Sequence, residues 1–203
     1  MDKEREFRKR IFFASKHSDR NKKSIINKVI EQKNKFGLDF VLNNVSVEAR
    51  KLYSLSSQVS MYIHKAESFI RLKQFKETLI GKAVFDFPVA ENIASHFIKR
   101  FPNKKIIVID EKTGCAFVSE ENGIKMLPAQ EFLELFDSIK ETFNDKELNQ
   151  LFGVFYDSQV IEERKNRNYA LRMMPKKYWK NFDLKESRKL ERGIQKNTLV
   201  NYV

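Results

Sequence analysis

The chain has 203 residues with a formal charge of +12, 41% hydrophobic residues and one cysteine. That length favours one domain, or one with a helical appendage, and can bury a sizeable core. The single Cys115 excludes a disulfide framework, a four-cysteine zinc site and an iron–sulfur cluster held by this chain alone. The sequence holds no run of about 18 apolar residues and no charged-then-apolar leader, which points to the cytoplasm and away from membranes.

The first 23 residues are highly charged and contain KHSDRNKK, which reads as a loop leading into a helix. From Ser24, Ile25, Ile26, Val29, Ile30 and Phe36 keep helical spacing, and Gly37 supplies the stop. Asn43 and Asn44 form a break. Ser46 then suits an N-cap, with Glu48 in the first turn to complement the helix dipole. Leu52, Leu55, Val59, Ile63, Ala66 and Ile70 predict a long helix reaching about Arg71.

Around Gly81 the period becomes extended. Ala83, Phe85 and Phe87 alternate with polar or smaller neighbours up to Pro88 and predict a short strand. A helix carrying Ile93, Ala94, Phe97, Ile98 and Phe101 follows. KKIIVID then reads as a strand, EKTG as a hairpin turn, CAFVS as a second strand and GIKML as a third. Beyond Pro128, Phe132, Leu135, Phe136, Ile139 and Phe143 mark one amphipathic helix, and Leu148, Leu151, Phe152, Phe155 and Tyr156 another.

With only six glycines and four prolines for turns, the pattern predicts an α+β fold, mostly helical. A small β-α-β-β antiparallel sheet lies between N-terminal and C-terminal amphipathic helices. The expected organisation is an N-terminal helical part over 1–78, an α+β core with C-terminal helices and a basic motif over 79–182, and a charged tail over 183–203.

Charge is distributed unevenly. Residues 1–109 sum to +12, residues 110–163 to −9 and residues 164–203 to +9. RKNRNYALRMMPKKYWK, from Arg164 to Lys180, has seven basic side chains and no acidic one, with Tyr169, Tyr178 and Trp179 among them. Cations without local carboxylates suit a polyanion, and exposed aromatic faces can stack on bases. The plainer alternative is a solvated basic helix whose rings face the core.

Searching for catalytic groups yields little. The three histidines, His17, His64 and His96, show no metal-ligand spacing, so no metal is expected. There is no glycine-rich phosphate loop, nucleophile elbow or dinucleotide fingerprint, so no cofactor is expected either. Asp110 and Glu111 end a strand, but neighbours on a strand face opposite ways and cannot share one ion without a kink. An enzyme acting on nucleic acid would have to use His64, His96 or Asp110.

Three phrases, IHKAESFIRLKQF, ENIASHFIKRFPNKKIIVIDEKTGCAFV and IEERKNRNYALRMMPKKYWKNF, resemble a bacterial family described as probable DNA metabolism or putative DNA repair proteins. The most specific match is MPKKYWKNF, preceded by ERKN. Departures are Tyr62 where the family has an acid, Ser68 for glycine, Ala170 for glutamine and Lys177 for arginine. The last keeps the charge but loses a bidentate fork.

The resemblance implies a domain also found fused to uracil-DNA-glycosylase-like domains, whose stand-alone forms accompany a radical-SAM protein. The resulting expectation is an accessory protein that binds nucleic acid, DNA in preference to RNA, and works with a radical-SAM or glycosylase-like partner. Arg164, Lys165, Arg167, Arg172, Lys176 and Lys177 would contact phosphates together with Arg71 and Lys73, and Tyr178 or Trp179 would stack on a base. A protein-interaction subunit docking through the acidic middle is the remaining alternative.

Overall fold

The structure, a computed structural model, describes residues 2–121, 123–130 and 132. It is α+β, and the chain divides into two compact units.

The first unit comprises residues 1–68 and 85–96. Helix α1 spans Lys3–Lys16, a segment in which the sequence alone marks only high charge. The KHSDRNKK stretch after it is the expected loop as far as Asn21, leading into the next helix. The determinants of α1 are local: Asp2 caps the N-terminus by accepting from the Glu4 N–H at 3.0 Å, and Phe7, Ile11 and Ala14 make one apolar stripe. The charge-rich remainder of the helix hides this stripe. Helix α2 covers Lys22–Phe36 and stops at Gly37, whose φ of 83° and ψ of 170° suit glycine alone. A short α3, Leu38–Leu42, follows, and Asn44 (φ 56°) turns the chain into α4, Val47–Phe69. The start of α4 is fixed as expected, because Ser46 Oγ accepts from the Ala49 N–H at 3.0 Å.

These helices enclose one core of Phe7, Ala14, Val29, Val41, Ala49, Leu52 and Leu55, flanked by Ile11, Ile25, Ile26, Leu38, Phe40 and Leu42. Arg10 pins its rim. Its guanidinium reaches Glu6, the Leu42 carbonyl at 3.1 Å and Asn44 Oδ1 at 3.2 Å, and lies over the Tyr53 ring.

Residues 85–89 belong to this unit too. The Asp86 N–H donates to Tyr62 Oη at 2.9 Å, Phe87 packs edge-on to Tyr62 and beside His17, and Lys16 Nζ donates to the Pro88 carbonyl. Phe85–Phe87 therefore form a strap with no strand pairing, in place of the expected strand. The alternating pattern does report burial, since Ala83 and Phe85 are both enclosed, but the strand comes earlier. Helix α5, Ala90–Arg100, continues from the strap.

Among the described residues, the second unit comprises residues 69–84 and those from Phe97 to Phe132. Its sheet has, among the described residues, five strands in sequential order: β1 Leu72–Phe75, β2 Thr78–Ala83, β3 Lys105–Asp110, β4 Cys115–Glu120 and β5 Gly123–Pro128. Only β2 and β3 run parallel, joined by the crossover that contains α5; the other neighbours are antiparallel. The last three strands fall where the sequence places them. The β1–β2 hairpin is not visible in the sequence, because Lys76, at φ 50°, turns it without the usual Gly or Asn.

In β3, every residue from Ile106 to Asp110 is buried, as expected for a strand covered on both faces. On one face Ile80, Ile107, Ile109, Ala116, Val118 and Ala129 form a core joined by Phe75, Leu127 and Phe132. Phe132 thus packs as its place in an apolar stripe predicts. The rest of its stripe, and the predicted helix from Leu148 to Tyr156, lie outside the described residues.

Candidate nucleic-acid interface

Arg71 and Lys73 enter the sheet together at β1, an edge strand among the described residues. Arg71 is exposed immediately before β1, while Lys73 is half-buried and stands opposite Ile80. Strand alternation puts Lys73 on the same face as Phe75, whose ring joins the apolar cluster. Arg164, Lys165, Arg167, Arg172, Lys176, Lys177, Tyr178 and Trp179 lie outside the described residues, so Arg71 and Lys73 are the two expected phosphate contacts whose setting is described.

The three candidate acid–base groups behave differently from one another. His64 is exposed on α4, and its backbone carbonyl accepts from Ser68 Oγ at 2.9 Å. His96 is half-buried on α5, with Nδ1 at 3.5 Å from Glu67 Oε1. A carboxylate at that nitrogen orients the ring. Asp110 belongs to the second unit and is buried. One of its oxygens accepts from the Lys112 N–H at 3.0 Å and the other from Thr113 Oγ1 at 2.9 Å, while its carbonyl accepts from Gly114 N–H. Its carboxylate organises the β3–β4 turn, and Gly114 at φ 66° completes it. Glu111 leaves the strand and pairs with Lys82 at 3.1 Å, so the two adjacent acids have separate structural partners.

Among the described residues no three of His, Cys, Asp and Glu come together in a metal-binding group, and no helix is long and apolar enough to cross a membrane.

Sequence reasoning misses the cations of α1, because it assigns that highly charged segment no element. Arg5, Arg8, Lys9 and Phe12 all stand exposed on that helix. Their signal is present in the spacing of three and four residues, once Phe7, Ile11 and Ala14 are recognised as the opposite, buried side.

The fold and these surfaces define a basic α+β protein that joins a helical unit to a five-stranded mixed sheet. Residues 20–183 match the family described as a domain of unknown function, DUF4130, and the chain belongs to that family. No curated protein and no solved structure matches it.

Proposed function

We propose that this protein is a nucleic-acid-binding accessory factor in DNA repair or base modification. It prefers DNA to RNA, acts in the cytoplasm, and leaves cofactor chemistry to a radical-SAM or glycosylase-like partner. The observation that carries the reading is the acid-free segment Arg164–Lys180, with seven cations and three aromatic rings inside the region matched by the family. Arg71 and Lys73 at the sheet edge are compatible with a phosphate-binding role.

The test is DNA affinity across a salt series for the wild type and for the double variant Lys176→Ala, Lys177→Ala. Each phosphate contact removed makes the log–log salt slope shallower by about 0.9 on duplex, or about 0.7 on a single strand. An unchanged slope and affinity would reject the segment as a contact surface.

An enzymatic reading gains one observation, the Glu67–His96 pair, since a carboxylate that orients an imidazole is a common acid–base arrangement. Asp110 gives it no support, because both carboxylate oxygens serve the β3–β4 turn. On this reading His96→Gln abolishes turnover of a damaged oligonucleotide while retaining its binding.

A further inference from the structure

Helix α1 segregates its charges. The acids Glu4 and Glu6 are engaged, Glu4 with Lys33 at 2.8 Å and Glu6 with Arg10 at 3.1 Å, and Lys3 pairs with Asp39 at 2.7 Å. Arg5, Arg8 and Lys9 have no carboxylate partner among the described residues. They are exposed, with Arg8 and Lys9 three and four residues after Arg5 on a single face, continued by Phe12, which is 47% exposed with Lys16 Nζ 4.9 Å from its ring centre. Arg5 also sits in the first turn, where the helix dipole opposes a positive charge. A face that only needed to be soluble would gain from acids at this end.

We infer that this outward face of α1 is a second phosphate-contacting surface, binding the backbone of a nucleic acid through Arg5, Arg8 and Lys9 with Phe12 alongside. The inference rests on the nucleic-acid reading above and adds to it a site that lies before the family-matched region, which starts at residue 20. Arg8 and Lys9 stand three and four residues beyond Arg5, about 4.5 and 6 Å further along the helix axis, so the face offers a compact cluster of three charges to a polyanion.

An anionic membrane is the competing partner for a basic helix, but a helix lying in a bilayer needs its whole apolar side free. Here Phe7, Ile11 and Ala14 are packed into the helical core, leaving Phe12 as the one large apolar side chain exposed on α1.

The experiment compares the full-length wild type with the triple variant Arg5→Gln, Arg8→Gln, Lys9→Gln. The readout is anisotropy of a labelled DNA duplex across a salt series, with matched thermal melts. Glutamine keeps helix propensity at these exposed positions and relieves the charge opposed by the helix dipole at Arg5, so the melting temperature should not fall.

Removing all three cations makes the slope shallower by about 2.7. This corresponds to a change of roughly 40-fold in how much affinity falls between about 50 and 200 mM salt. An unchanged slope in the triple variant, alongside a shallower slope in the Lys176→Ala, Lys177→Ala protein, overturns the α1 site alone. No salt-dependent DNA binding by the wild type overturns both readings. Loss of binding to phosphatidylserine vesicles in the triple variant, with its DNA slope intact, assigns the face to a membrane and likewise overturns the inference.

Discussion

Arg10 is the residue on which several chain segments depend. Its side chain is 14% exposed and serves a carboxylate, a backbone carbonyl and an amide oxygen at once. Arg10→Met keeps the aliphatic stem and the helix propensity but leaves the Leu42 carbonyl and Asn44 without their donor. Chemical denaturation should register a loss of about 1–3 kcal/mol, the range for stranding partly buried polar groups. Gly81 is a steric counterpart. A Cβ there would lie 2.7 Å from Leu72 Cδ2 and 3.2 Å from Ile70 Cδ1, so Gly81→Val should destabilise by about 2–3 kcal/mol in the same assay. Neither role is legible in the sequence, because each depends on a neighbour that only pairing or packing brings close.

At the scale of elements, the entry to α4 is a small polar network. Ser46 Oγ donates to Gln32 Oε1 at 2.6 Å while accepting from Ala49, and Gln32 Nε2 donates to Glu48 at 3.2 Å. Ser46→Ala should cost about 1 kcal/mol in unfolding free energy. The Glu48 carboxyl is held below its ordinary range, first by its own backbone N–H and then by Gln32. A carboxylate with a depressed folded-state pKa stabilises above its unfolded pKa, and that stabilisation disappears as pH falls through the folded value. The stability gap between wild type and Glu48→Gln should therefore be present at neutral pH and close in acid, as read by melts over a pH series. If the gap does not depend on pH, this network does not act through the charge.

The same scale explains which elements can be read in advance. Ser46 and Gly37 announce the boundaries of α2 and α4 because capping is local chemistry. The β3–β5 meander is visible because IIVID and CAFVS are too short for helices and are separated by a glycine-bearing turn. Helix α1 is lost among its charges although Phe7, Ile11 and Ala14 carry its period. The β1–β2 hairpin is lost because Lys76 adopts positive φ without a residue type that signals it, and the nearby Phe85–Phe87 alternates without pairing. Such a strap satisfies its backbone through Tyr62, a partner 24 residues distant that no periodicity encodes.

Across the whole molecule, the charge pattern is the feature the sequence displays best: strongly basic through residue 109, acidic to 163, basic again to the end. The expected contacts then fall on three chain segments, α1, the β1 edge and Arg164–Lys180. If all three act on one ligand, combining the α1 triple variant with the Lys176→Ala, Lys177→Ala pair should weaken DNA binding by the sum of their separate salt-slope changes. Equal slopes for the combined variant and either parent would mean that the segments serve different ligands. The candidate site is legible as composition, through cations lacking acids, but its exposed α1 component requires knowing which side of the helix faces the core.

Residues 85–96 complete the helical unit although they are encoded after the first sheet hairpin. During synthesis, α1 to α4 therefore emerge before the strap that Tyr62 receives. At about 5–20 residues per second the ribosome needs roughly 1–6 seconds to travel from Phe69 to His96. For a delay of that length the Tyr62 side of α4 is a nascent surface without its native cover.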